Sequence, residues 1–77
     1  MKVKVLPPAG YDRSMLDEKS WMELPEGASV SDALRAIGCS RVKAKLMLVS
    51  VNGERAVLNR KLQEGDVLGF FVPVSGG

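Results

Sequence analysis

Lysine and valine alternate through Lys2, Val3, Lys4 and Val5. A period of two sends successive side chains to opposite faces of a strand, so Val3 and Val5 are expected inward and the lysines in water. Pro7 and Pro8 end this first strand. Residues up to Lys19 hold Gly10, Asp12 and Ser14 among charges, which predicts a loop with room for one helical turn, folding Tyr11, Met15 and Leu16 back on the domain. Residues 20–24 alternate again and run into Pro25, Glu26 and Gly27, predicting a second strand antiparallel to the first, with Met22 and Leu24 inward. That phase puts Trp21 on the outer face, where it either serves as a docking residue or packs over the edge of the hairpin or the long loop.

From Ser29 the period changes. Val30, Ala33, Leu34 and Ile37 follow the i, i+3, i+4, i+7 spacing of one buried helical face; Ser29 can cap the start with Asp32, and Gly38 can end the helix. About two turns cannot stand on propensity, so packing on a sheet must hold them. Arg41, Lys43 and Lys45 read as a solvated connection rather than a dedicated anion site. Residues 46–51 predict a third strand, with Met47, Val49 and Val51 on one face and Leu46, Leu48 and Ser50 on the other. Asn52-Gly53 suits a tight hairpin turn into a short strand around residues 55–57. Leu58 and Leu62 pin the next turn to the core. Glu64, Gly65 and Asp66 make the last turn, and residues 67–72 predict a closing strand with Leu68 and Phe70 inward and Phe71 outward. Two strands, a helix and two further strands make a mixed α+β sheet of four to five strands with one helix across one face. The uncovered face then carries Leu48, Phe71 and Trp21, either as a small apolar docking patch or as scattered surface residues.

Composition narrows the functions open to such a domain. A chain of 77 residues buries only about 60% of its unfolded surface, which leaves little room for a deep enzyme pocket. Histidine is absent and cysteine occurs once. This removes histidine-based catalytic constellations, an internal disulfide and any four-thiolate metal site within one chain. Cys39 therefore reads as a small apolar filler or an idle surface thiol. A net charge of +2 lacks the concentrated basic stripe of nucleic-acid binding. No apolar run approaches the roughly 20 residues of a membrane span. The N-terminal MKVKVL lacks the long apolar core of a secretory signal, which predicts a cytoplasmic protein.

The chemistry points to the other end of the chain. Val72, Pro73, Val74 and Ser75 lead to Gly76 and Gly77. Two glycines without Cβ atoms let extended backbone pass a channel too narrow for side chains, and leave the final carbonyl unshielded. The Gly77 carboxylate is the candidate reacting group, with Gly76, Ser75 and Val74 giving access and reach.

Four stretches carry a family resemblance: ELPEGASVSDAL (23–34), VNGE (51–54), LQEGDVL (62–68) and FFVPVSGG (70–77). In these the chain resembles the β-grasp, ubiquitin-like sulfur carriers, namely the small subunit of molybdopterin synthase and the thiamine-pathway sulfur carrier. The tail looks most like the former, whose ending is typically a phenylalanine, two prolines, a small segment and Gly-Gly; here Val72 stands in place of the first proline. The connection between the helix and the third strand is short, as in the thiamine carrier. The three central stretches are similar also to the RNA-associated β-grasp module known as TGS, from which only the tail separates this chain.

The resemblance implies a β-grasp domain over residues 1–73 and a flexible Gly-Gly tail over residues 74–77. It further implies a carrier rather than a catalyst, with no bound cofactor or metal. An E1-like adenylating enzyme would use ATP to activate the Gly77 carboxylate, and a sulfur donor protein would convert it to a thiocarboxylate. A synthase large subunit or a thiazole synthase would receive the carrier, docking on Phe71, Leu48 and Trp21. The readings that stay open beside the molybdopterin-synthase subunit are a thiamine-pathway or tRNA-thiolation carrier, a ubiquitin-like protein modifier, and a β-grasp interaction module without tail activation.

Overall fold

The computed structural model describes residues 1–71 of the chain. The tail residues Val74, Ser75, Gly76 and Gly77, and the boundary expected at residue 73, lie outside the described residues.

Strands β1 (Lys2–Leu6) and β2 (Trp21–Glu23) pair antiparallel, with Val3 opposite Met22 and Lys4 opposite Trp21. The helix α1 (Val30–Ala36) follows, then a second short helix α2 (Arg41–Lys45). Strands β3 (Leu48–Val51) and β4 (Glu54–Ala56) form a hairpin, and β5 (Val67–Phe71) closes the sheet in the order β2-β1-β5-β3-β4. The closing strand lies between the first and third, parallel to β1 and antiparallel to β3.

The strand phases agree with the alternation. Val3, Val5, Met22, Val49, Val51 and Leu68 all turn inward and are buried, and Phe70 packs against them. Helix α1 covers this face with Val30, Ala33, Leu34 and Ile37, each at most 1% exposed. Its start is a reciprocal cap: Ser29 Oγ accepts from the Asp32 N–H, while Asp32 Oδ2 accepts from the Ser29 N–H at 2.8 Å. Asn52 (φ +54°) and Gly53 (φ +83°) supply the two positive φ values that a two-residue hairpin turn requires.

Several expectations fail for identifiable reasons. Residues 41–45 form α2 instead of a solvated connection: Ser40 Oγ accepts from the Lys43 N–H at 3.2 Å, and Ala44 is buried beneath the turn. The sheet is therefore accompanied by two short helices, not one. Leu46 caps the end of α2 and Met47 lies in the bend after it, so the third strand begins only at Leu48. The loop before β2 contains turns but no helix, and it folds Tyr11 and Leu16 onto the core while Met15 stays 56% exposed. Cys39 is buried and makes the filler reading the correct one, with its sulfur 3.7 Å from Met47 Sδ. Tyr11 Oη donates to the same methionine sulfur. Burial first, and then Cys39, pushes the Tyr11 hydroxyl above its ordinary pKa, so it stays protonated as a donor.

Candidate functional site

The outer face of the sheet is set by the same alternation that built the core. Residues out of phase with Val5, Leu68 and Val49 point away from α1: Lys4 and Leu6 on β1, Val67, Gly69 and Phe71 on β5, and Leu48 and Ser50 on β3. The register aligns them in rows. Phe71 stands directly opposite Leu48, and extending the β3–β4 pairing by one residue puts Val57 beside Leu48 on the far side. Leu6 is level with Gly69, one row back. Phe71 is 64% exposed and Leu48 37%. With Leu6 and Val57, also exposed, they give the end of the sheet an apolar surface. A Cβ on Gly69 would sit 2.9 Å from Ser50 Oγ, so the glycine lets the Ser50 side chain lie close over β5 in the row behind Phe71.

The sequence pairing of Leu48 with Phe71 is thus found as a cross-strand contact, but Trp21 is not brought to it. Trp21 lies on the edge strand β2, with β1 and β5 between it and Leu48. Its row, Trp21–Lys4–Val67, is four residues back along β5 from Phe71, about 13 Å at the usual rise per residue. Its backbone N–H donates to Asp17 Oδ1 at 2.9 Å, and Lys4 Nζ lies 5.9 Å from the ring centroid. Trp21 is half-buried with Lys4 over its ring, and its backbone is tied to the long loop through Asp17, which favours the packing alternative over the docking one. Leu6 and Val57 were missed as patch residues. Their signal was present: Leu6 continues the phase of Lys2 and Lys4, and Val57 continues the hairpin register past a two-residue turn.

The last described residue, Phe71, ends β5 at the apolar row, so the chain leaves the described domain beside Leu48. Gly77, Gly76, Ser75 and Val74 lie beyond it. Among the described residues no group of three or more His, Cys, Asp or Glu side chains is arranged to hold a metal, and no helix is long and apolar enough to cross a membrane.

With this geometry in hand, comparison with known proteins is informative. The model of the ThiS family matches residues 11–77. The chain belongs to the ThiS family. This member is also 35% identical, over an alignment of 94 residues covering 100% of both chains, to an uncharacterised protein of Archaeoglobus fulgidus. Among solved structures it resembles a putative molybdopterin converting factor, subunit 1, from Pyrococcus furiosus, with 30% identity, TM-score 0.59 and 95% of each chain covered. SAMP1 from Haloferax volcanii shares the fold, with 24% identity, TM-score 0.60 and coverage of 99% of this chain and 97% of that one. The β-grasp, ubiquitin-like fold and the sulfur-carrier family read from the four sequence stretches are borne out.

Proposed function

We propose that the chain is a sulfur carrier whose Gly77 carboxylate is adenylated and then converted to a thiocarboxylate, serving as the small subunit of molybdopterin synthase. The observation that carries the reading is the family match, which runs through the tail to Gly77. The likeness to a molybdopterin converting factor subunit and the FFVPVSGG ending support the pathway. A carboxylate is a poor electrophile because its charge is delocalised. An E1-like enzyme would let a carboxylate oxygen attack the α-phosphorus of ATP, releasing pyrophosphate and leaving a mixed anhydride with AMP. The terminal sulfur of a persulfide on a donor protein would attack that carbonyl and displace AMP, and a thiol reductant would then cleave the S–S bond to the donor, leaving the thiocarboxylate on Gly77. The thiocarboxylate sulfur, largely ionised at neutral pH, would be the nucleophile delivered within a synthase large subunit. Nothing in these steps asks this chain for a general base or a cofactor, which fits a histidine-free carrier that is not itself the catalyst. Leu48, Phe71, Leu6 and Val57 would dock the partner while Val74 and Ser75 extend the glycines into its active site.

The thiamine-pathway reading shares each step up to the thiocarboxylate and differs in the acceptor. The test is intact mass after incubation with an activating enzyme, ATP and a sulfur donor, followed by transfer to a synthase large subunit or to a thiazole synthase.

A further inference from the structure

On the helical side of the sheet, α1, α2 and the segment at Leu58 and Asn59 border an open cleft of about 810 Å³. Its floor is apolar: Leu34 and Ala44 are buried, and Leu58 packs against the core. Its rim is cationic, with Arg35, Arg41 and Lys45, and among the described residues no carboxylate lines it. Arg41 and Lys45 are four residues apart and so share one side of α2. Neither makes an ion pair among the described residues. Arg35 has only an exposed contact with Asp32 at 3.6 Å, of a kind that contributes little and exchanges readily.

We infer that this cleft is a second docking surface, and that its occupant is an acidic, partly apolar segment of a partner protein. The pairing of floor and rim carries the choice. Apolar side chains of such a segment cover the half-exposed Leu58, while its carboxylates meet two guanidinium forks suited to bidentate pairing and one ammonium. A small inorganic anion leaves the floor uncovered. Single-stranded nucleic acid finds phosphate partners at the rim, but no aromatic side chain lines the cleft on which a base could stack. Leu48 and Phe71 point away from α1, but Ala44, Lys45 and Leu58 also border a groove that holds Leu48 and Val57, so the cleft reaches round the sheet edge to the tail-side surface.

The experiment titrates the isotope-labelled full chain with an end-blocked ten-residue peptide of glutamate, leucine and serine, following backbone amide shifts. The comparison probes are the same peptide with lysine in place of glutamate and a decamer of polyuridine RNA. The expected result is saturable shifts at Ser31, Arg35, Arg41, Lys45 and Asn59 with the acidic peptide only, weakening as salt is raised. The doubly reversed variant Arg41→Glu, Lys45→Glu should lose at least tenfold in affinity with an unchanged melting curve, since both side chains are exposed. Shifts centred on Leu48 and Phe71, equal binding of the lysine peptide, tighter binding of the RNA, or no saturable shift would each overturn the inference.

Discussion

Asn52 and Asp66 hold the two halves of the sheet in register. Asn52 Nδ2 donates to Asp66 Oδ1 at 2.9 Å, and Asn52 Oδ1 accepts from the Val67 N–H at 2.9 Å. Asp66 Oδ2 in turn accepts from the Gln63 N–H at 2.8 Å, and the Asn52 N–H donates to the Val67 carbonyl. A hairpin-turn residue is thereby bonded to the first residue of the closing strand. Replacing Asn52 with alanine removes these side-chain bonds and puts a Cβ-bearing residue without a local partner at positive φ. The expected cost is about 2–3 kcal/mol, or roughly 10–20 °C in melting temperature for a domain of this size. Asn52→Gly, which tolerates the backbone, should lose clearly less. Thermal melts of the three proteins check the order; equal losses would mean that the backbone conformation carries none of the effect.

That bond also shows how much was legible. VNGE and LQEGDVL, two of the stretches in which the sequence resembles β-grasp proteins, meet as one hydrogen-bonded unit, so they report the fold and not the chemistry. The period-two strands, the capped helix and the Asn52-Gly53 turn could be read because each is set by neighbours in sequence. Helix α2 could not: Arg-Val-Lys-Ala-Lys buries only Ala44, too little to show a helical period. Trp21 was misplaced relative to Leu48 because its distance depends on β5 entering between β1 and β3, a pairing between the ends of the chain that no local pattern announces.

Phe71→Glu should leave the fold intact and weaken binding to the activating enzyme or synthase at least tenfold, because apolar anchors at interfaces commonly contribute roughly 2 kcal/mol or more. Leu48→Glu should act in the same direction, and Trp21→Ala should leave affinity within about threefold, as expected for a residue outside the interface. Phe70→Glu, one position away but packed against the core, should unfold the domain. Binding and melting curves for the four variants separate surface from core.

Acid stability should depend on the helix cap. The Ser29 N–H, chiefly, holds the Asp32 carboxyl below its ordinary pKa, with Arg35 and Lys61 adding less. Asp17 and Asp12 are lowered in the same way, by the N–H groups of Trp21 and Ser14. A carboxyl whose pKa is lower folded than unfolded stabilises the fold above the unfolded value, about 3.9 for aspartate. That stability disappears as pH falls through the folded value. Asp32→Asn should therefore be less stable than the parent at neutral pH, and the gap should begin to narrow below about pH 4 and close as pH falls through the lowered folded value. A gap that persists at low pH would show that the carboxylate charge is not what stabilises the cap.

Cys39→Ala should load sulfur as the parent does, since the proposed chemistry belongs to the tail carbonyl. Its cost is packing against Met47, about 1 kcal/mol. Loss of thiocarboxylate in a folded Cys39→Ala protein would assign the thiol a chemical role.

The most direct test of the carrier reading removes Gly77 alone. The parent and the truncated chain are each incubated with an activating enzyme, ATP and a sulfur donor, and intact mass and a thermal melt are recorded on the same samples. The buried core among the described residues runs from Val3 to Leu68, so the two melting temperatures should agree. The parent should gain the mass of one oxygen exchanged for sulfur, and the truncated chain should gain nothing. Equal loading of both proteins, or of neither, would contradict the account.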